Sequence, residues 1–561
     1  MDLKKEIINI LKKETKLEEV SLEIPPDPKL GDYAFPCFAL SKTLKKSPVE
    51  IAKELAGKIK PEKTIKEVKA TGPYLNFFID RQVLGKEIIK DILKKKDKFG
   101  TGKKKKDKIM VEYSQANTHK AFHVGHLRGT SLGESLARIL KFYGYDVVQA
   151  NYQGDTGAHV AKWMWCYLKF HNGEEPPKEN PEKWIASIYV EAVKKTDEDT
   201  QKEIDEINYR LENSLDPKLA ELWKKSRQWS LDSLELVYKD LDAHFDNYFF
   251  EREVEGRGRD ISQELVKKGI AKIDEGATVV DLNEYGLGVW ILLRKDGTCL
   301  YSAKDIALAE RKFKEFMIDK SLYVVGAAQS LHLKQLFKTL ELMKFKQAGK
   351  CYHLSFNEVR LPTGKMSSRT GENILYSELK EELLEKIKDE VEKRHVDWDK
   401  GRKEKSIKSI FSSAIKFDMI VQDPNKNIVF EIEKAMDFEG ETGPYIQYAH
   451  ARICSIIKKN DYPIKDKINA DKLSAKEEEK VISLLKTYPD IIAESAEQYK
   501  PNSLARYLLE LSQAFNEFYH TCPILQADEE TKNARLNLIL AVKQVLSEGL
   551  FLLGIESPEE M

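Results

Sequence analysis

The chain has 561 residues, room for three or four domains, and 41% of them are hydrophobic, enough for sizeable cores. Lysine plus arginine and aspartate plus glutamate both number 92, so the formal net charge is zero; this argues against a nucleic-acid coat protein but not against local basic faces. The six cysteines, at 37, 166, 299, 351, 454 and 522, form no C-x-x-C pair, so neither a thiolate zinc site nor a disulfide framework is indicated, and no apolar run spans a bilayer. A helix candidate at the start, carrying Glu6 and Glu14, fits poorly with a transit peptide, and a soluble cytoplasmic setting is the expectation.

Residues 1–20 read as an amphipathic helix with Leu3, Ile7, Ile8, Ile10 and Leu11 on one side. Ser47-Pro48-Val49-Glu50 is a capping box with proline at the first helical position, opening a helix over Ile51–Ile59, and Tyr74–Ile79 is a strand. The lysine-rich segment Lys94–Lys108 reads as a linker. Ile109-Met110-Val111 is a short β-prone run, and His123-Val124-Gly125-His126 opens a helix with Leu127, Leu132, Leu136, Ile139 and Leu140 at helical spacing. A strand thus feeds a loop, and the loop feeds a helix N-terminus. Phosphate binds at such a place in doubly wound folds, because free backbone N–H groups and the helix dipole point at the anion. His123 and His126 share one side of a turn and can donate to phosphate oxygens, and Gly125 lets a flat base approach the backbone.

Downstream, Asp146–Tyr152 is a second strand, followed by the tight turn Gly154-Asp155-Thr156-Gly157. Residues 165–245 are mostly helical and polar and read as an insertion. Ala277–Leu282 and Gly288–Arg294 are strands joined by a turn at Gly286; a strand ends at Leu300, and Tyr301 opens a helix on which Asp305 shares its face. Leu322–Val325 is a buried strand, with Gln329 and His332 after it at the carboxyl edge of the sheet, and Tyr352–Phe356 is another strand. Lys365-Met366-Ser367-Ser368 follows. From Tyr376 the chain is helical, with candidate helices at 446–458, 475–488, 489–497, 504–520 and 531–553; Pro489 suits the first position of its helix.

The pair formed by His123–His126 and Lys365–Ser368 resembles the two signatures of class I aminoacyl-tRNA synthetases. Further stretches resemble the arginyl-tRNA synthetases: Gly31-Asp32-Tyr33-Ala34, Gly72–Phe77, Ala116–Phe122, Val324–Gln329 with His332, Gly443–Arg452, and the tail Gly549–Ile555. Three positions depart from that pattern: Thr156 stands where the family has Trp, Gln115-Ala116 where it often has Ser-Pro, and Glu560 where Arg is common.

The resemblance implies a multidomain α/β protein. A small α+β domain that contacts tRNA would occupy 1–100. A Rossmann-type parallel-sheet catalytic domain would follow over 109–375, with its helical insertion at about 165–245. A helical connector would fill 376–440, and an all-α anticodon-binding bundle 441–561. It implies ATP-dependent activation of L-arginine and transfer to the terminal adenosine of tRNA(Arg), with Mg²⁺ carried on ATP, no zinc, no membrane partner and a monomeric state. His123, His126, Lys120 and Lys365 would be catalytic, and His123, Gly125, His126, Lys365, Met366, Ser367 and Ser368 would bind ATP. Glu112, Asn117, Glu251, Tyr301, Asp305 and Gln329 match the family's arginine positions, with Glu253 and Glu255 as alternatives to Glu251. A carboxylate is required there because guanidinium offers five donors and no acceptor. Tyr445 and Tyr448 either stack on tRNA bases or pack in the bundle core. A nucleotidylyltransferase, a non-catalytic tRNA-binding paralogue and a synthetase for another amino acid remain rival readings.

Overall fold

Five strands carry the site: β1 (Lys108–Glu112), β2 (Asp146–Gln153), β3 (Asn247–Phe250), β4 (Lys320–Gly326) and β5 (Cys351–Phe356). They lie in the order β5-β4-β1-β2-β3, and every neighbouring pair is parallel. The computed structural model describes residues 3–61, 64–213, 216–360, 362, 375–466 and 468–561. Strands buried on both faces read as continuous apolar runs, and Ile109, Met110, Val111 and Leu322–Val325 are such runs, all buried. From β1 the chain moves outward through β2 and β3, then returns to β4 on the other side of β1. The carboxyl ends of β1 and β4 therefore flank the switch point, where open α/β sheets bind ligands.

Helix α1 (Val124–Phe142) packs along β1, β2 and β4. Helices α2 (Glu251–Lys267), α3 (Tyr301–Phe316) and α4 (Ser330–Leu342) close another core, in which Met110, Phe249, Ile306 and Leu336 meet. Gly125, Gly129 and Gly133 recur at every fourth position of α1 and so line one face. A Cβ on Gly129 would lie 2.9 Å from the Phe356 ring, and one on Gly133 would lie 2.2 Å from Cγ of Tyr113. Tyr113 cannot yield, because its buried hydroxyl donates to Glu134 (2.6 Å) and accepts from Gln149 (2.8 Å). On the same helix Arg128, fully buried, donates to the carbonyls of Asn357 (2.6 Å), Lys426 (2.8 Å) and Asp423 (3.1 Å). It thereby ties α1 to the chain after β5 and to the loop before Ile428–Val429, which pairs in parallel with Val359–Arg360.

The insertion is helical as expected, with helices at Ala158–Phe170, Pro181–Lys195, Glu198–Glu212 and Pro217–Asp240 around a core that includes Trp163, Ile188 and Trp223. The two strands expected around Gly286 are Ala277–Asp281 and Val289–Leu293; they pair antiparallel, and Lys272–Asp274 adds a third. Lys272–Asp274 has no buried side chain, hence no apolar alternation by which to be seen. The expectation of a strand ending at Leu300 is corrected. The turn at Asp296-Gly297 folds the chain back, and Leu300 is a single extended residue bonded to Leu292 O just before α3.

The chain divides into two compact units, and the sheet belongs to the one formed by residues 100–451, 489–509 and 547–561. The other comprises residues 1–99, 452–488 and 510–546. It holds a three-stranded antiparallel sheet (Tyr33–Pro36, Tyr74–Ile79, Ile65–Thr71) and the helix Pro48–Lys58, whose Ser47–Glu50 capping box is formed as expected. Within this unit Phe99 stacks on Tyr488 at 5.9 Å. The two helices expected on either side of Pro489 are one helix, Lys476–Glu497. Buried Val481, Leu485, Tyr488, Ile492 and Ala496 keep one apolar face running past the proline, and that packing outweighs the single helix bond proline removes.

The glycine face of α1 gives a stability test. Gly133→Ala forces a methyl into the Tyr113 ring and is expected to destabilise by on the order of 3 kcal/mol. Gly256→Ala, on α2 with nothing within 4 Å of the new Cβ, is expected to be neutral or to stabilise by up to about 1 kcal/mol. Urea unfolding of both variants checks the contrast; equal destabilisation would show that helix docking is not limited at Tyr113.

Candidate active site

The loop after β1 delivers the chain to α1 through His123, the extended N-cap residue (φ −125°, ψ 170°). His123 Nδ1 accepts from the Gly125 N–H (3.1 Å), and His126 Nδ1 accepts from the His123 N–H (3.3 Å). The two rings stack with centroids 3.9 Å apart. A neutral imidazole carries one proton, so both rings hold it on Nε2 as a donor. Burial, followed by the charge of Lys120, holds His123 down to about 4; burial, then His123 and Lys120, holds His126 well below its usual value. The helix start therefore offers two uncharged N–H donors with Lys120 as the nearby cation. One expectation shifts here: the Gly125 N–H is taken by His123 rather than left for an anion. A Cβ on Gly125 would lie 2.9 Å from the His123 ring, so the glycine makes room for that ring.

Lys365, Met366, Ser367 and Ser368 lie outside the described residues. Their flanks converge on the histidines. Before them Val359–Arg360 follows the Asn357 carbonyl that Arg128 holds. After them Leu375 forms a β-bridge with His123, and the Tyr376 N–H donates to Phe122 O (3.0 Å).

Across the carboxyl edge the side chains are acidic, and nearly every charge is matched. Glu251, the first residue of α2, accepts from Lys304 Nζ (3.0 Å) and Thr156 (3.3 Å). A Cβ on Gly154 would lie 2.5 Å from Asn117 Oδ1 and 3.1 Å from Glu251 Oε1, so this glycine lets Asn117 and Glu251 come together. Glu112, at the end of β1, forms an ion pair with the fully buried Lys312, whose Nζ lies 4.2 Å from the centre of the Tyr323 ring. Asp305 Oδ2 lies 2.6 Å from His332 Nε2, and the exposed Tyr301 ring lies 4.7 Å from the His332 ring. The Tyr152 hydroxyl oxygen is buried within electrostatic reach of all of these carboxylates. Burial, and then the charges of Asp305, Glu251, Glu112 and Asp155, push that phenol well above its usual range.

Comparison with known proteins decides the family. Residues 88–432 match the catalytic domain of "tRNA synthetases class I (R)", residues 446–561 the "DALR anticodon binding domain", and residues 1–79 the "Arginyl tRNA synthetase N terminal domain". The arginine–tRNA ligase of Bdellovibrio bacteriovorus is 37% identical over 96% of this chain and 93% of its own. That of Halothermothrix orenii is 35% identical over the whole of both chains. The solved arginyl-tRNA synthetase of Thermus thermophilus superposes with a TM-score of 0.83 at 27% identity, covering 100% of this chain and 99% of that one.

The chain belongs to the arginyl-tRNA synthetase family.

Against the family's pattern, the structure brings His123, His126 and Lys120 together at one end and Asn117, Glu251, Glu112, Tyr301 and Asp305 around Tyr152 and His332 at the other. Gln329 is exposed, on the short turn after β4. Tyr445 and Tyr448 are half-buried on the helix Gly443–Lys458. Asp155, in the tight turn after β2, pairs with Arg227 (2.9 Å) and accepts the Arg252 N–H (3.1 Å). Glu560, where Arg is common in the family, pairs with Arg402. Lys304, Lys312, Trp290 and Tyr152 escaped the sequence reading. Only the spacing from Asp305 to Lys312, two helical turns, marked any of them. Among the described residues, Cys166, His171 and Glu191 each bring a donor atom within 4.8 Å of the others. There His171 already bridges Glu174 (3.0 Å) and Glu191 (2.8 Å), and burial pushes the Cys166 thiol up to about 11.

His119, behind the histidine pair in sequence, is buried between Thr118 (3.0 Å) and Ser226 (2.9 Å), and burial lowers it from 6.5 to about 3. At pH values between those two the unfolded chain binds a proton that the folded chain refuses, so this residue's contribution to stability falls as pH falls. His119→Gln removes the linkage. The stability of the parent relative to the variant is expected to drop by about 1.4 kcal/mol per pH unit as pH falls from about 6 to about 4. Urea midpoints across that range check it; a pH-independent difference would show that His119 is not held neutral.

Proposed function

We propose that the chain is an arginine–tRNA ligase that converts L-arginine and ATP to arginyl-adenylate and then charges tRNA(Arg). The full-length similarity to arginine–tRNA ligases carries this reading, and the carboxylates at the sheet's carboxyl edge, Asp305 among them, beside a neutral-donor helix start support it. A carboxylate oxygen of arginine bonds to the α-phosphorus of ATP, and the bond from that phosphorus to the β-phosphate oxygen breaks, releasing pyrophosphate. A ribose hydroxyl of the terminal tRNA adenosine then attacks the carbonyl carbon, gives up its proton, and AMP leaves. No covalent enzyme intermediate is required, so catalysis is positioning plus stabilisation of charge building on the phosphates.

On this reading His123 and His126 present Nε2–H donors to the phosphates, and Gly125 faces the base. Lys365 and Lys120 supply positive charge, while Met366, Ser367 and Ser368 complete the phosphate contacts. Magnesium arrives on ATP as part of the substrate. Asn117 and Glu251 meet the α-amino and carboxylate end of arginine, with Tyr301, Gln329 and Glu112 around the side chain. Residues 1–100 and the bundle 441–561 meet tRNA, with Tyr445 and Tyr448 stacking on bases, and the enzyme works as a monomer. Asp305 takes the guanidinium. Glu112, Glu251 and Asp155 already face Lys312, Lys304 and Arg227, whereas among the described residues no lysine or arginine lies within ion-pair distance of Asp305.

Charging assays with labelled ATP, each amino acid and total tRNA test the activity; use of another amino acid in place of arginine would overturn it. Asp305→Asn tests the pocket. Losing one partner of a buried charge pair costs on the order of 2–5 kcal/mol. Arginine kcat/KM should thus fall by roughly 30-fold to several thousand-fold with ATP KM near normal. Charging at parental efficiency would pass the guanidinium to Glu112 or Glu251. Lys365→Ala is expected to lower kcat by roughly 10²–10³ with little change in arginine KM, by analogy with the loss of one oxyanion donor; a rise in KM alone would make Lys365 a ground-state binder.

A further inference from the structure

Behind Asp305 stand His332, against its carboxylate, and Trp290, against His332. We propose that His332 is a positioning residue, held by the Trp290 indole as the neutral Nε2–H tautomer, so that Asp305 keeps an uncancelled negative charge for the guanidinium. The inference rests on the reading that this pocket takes arginine.

The hydrogen-bond order carries it. Trp290 is buried in the strand Val289–Leu293, and its indole N–H, which can only donate, lies 3.3 Å from His332 Nδ1. Nδ1 must therefore offer its lone pair. The one proton of a neutral imidazole then sits on Nε2, 2.6 Å from Asp305 Oδ2. A second proton on this imidazole could only go on Nδ1. There it would point at the indole N–H, donor against donor. The Tyr301 ring, 4.7 Å from His332 and tilted to it, flanks the imidazole.

Charge arithmetic shows why this matters. Glu112, Glu251 and Asp155 are matched one to one by Lys312, Lys304 and Arg227. Of these four carboxylates, with His332 neutral, Asp305 alone faces no lysine or arginine among the described residues, and the guanidinium cancels its charge. With an imidazolium that carboxylate would already be matched, and arginine would bring an uncompensated cation into a place where Asp305 and His332 are only 18% and 11% exposed. His332 also occupies Oδ2 of Asp305, leaving Oδ1 for the guanidinium fork. An uncharged analogue of arginine would leave Asp305 unpaired and so be refused. Trp290 and His332 thus contribute to the choice of arginine through Asp305.

Full-length Trp290→Phe, His332→Ala and His332→Gln variants test the proposal through arginine KM, ATP KM, kcat and thermal midpoint. His332→Ala is expected to raise arginine KM by roughly 10- to 100-fold, the range for losing a hydrogen bond to a charged group. ATP KM should stay near normal. Glutamine places an amide N–H where Nε2–H stood and should recover most of that loss. Trp290→Phe keeps the shape but frees Nδ1; it should raise arginine KM by about tenfold and narrow the preference for arginine over citrulline. Nitrogen NMR of the parent enzyme labelled at histidine should show His332 neutral and protonated at Nε2 at neutral pH, a readout that requires no variant to fold. A parent His332 protonated at Nδ1, or a glutamine variant no better than alanine, would overturn the proposal. So would parental arginine KM in Trp290→Phe. Asp305→Asn separates the two levels. If it charges arginine normally, the pocket assignment itself fails. If it loses arginine while the Trp290 and His332 variants behave as the parent, only this inference fails.

Discussion

A charge taken out of water must be matched, and that constraint organises the carboxyl edge of the sheet. Burying an ion costs several kcal/mol unless a partner and hydrogen bonds replace its water. Glu112 at the end of β1, Glu251 at the start of α2 and Asp155 in the turn after β2 meet that cost with Lys312, Lys304 and Arg227. Two of these cations lie on α3, so the helix that carries Asp305 also neutralises its acidic neighbours. The histidine pair at the start of α1 solves the opposite problem. Two imidazoles are packed at one buried helix start, and burial keeps both neutral, so neither brings an unmatched charge there.

Much of this frame is readable in the residues. Short apolar runs bounded by polar loops are what a doubly covered parallel sheet requires, and β1 and β4 fall where such runs lie. Leu127, Leu132, Leu136, Ile139 and Leu140 recur at helical spacing, and all are fully buried on α1. The Ser47–Glu50 capping box is local chemistry and forms as written. The placement of the histidine pair was legible because a helix start is set by neighbouring residues, and His123 is the N-cap.

What escaped depends on tertiary context. Lys304 and Lys312 stand in a helix crowded with Glu310, Arg311, Lys314 and Glu315, where a buried lysine reads like a solvated one. Trp290 looks like any core aromatic; its indole N–H acquires meaning only because His332 folds against it from another element. Pro489 obeys a local rule for helix starts, yet long-range packing of one apolar face outweighs that rule. Leu300 belongs to an apolar stretch that suggests a strand, but the turn at Gly297 spends it on a hairpin return instead.

The buried Arg128 bears on how the protein emerges from the ribosome. One of its carbonyl acceptors, Lys426, lies 298 residues further along the chain. At synthesis rates of about 5–20 residues per second, the guanidinium waits on the order of 15–60 s for that acceptor to be made. Until then a buried cation beneath the histidine helix would lack part of its shell, so α1 cannot settle into its final environment early. The sheet strands and the insertion are complete before the helix start that carries the histidines is locked. Nascent chains that stop short of Asp423 are therefore expected to hold a folded sheet edge with an unfinished start to α1.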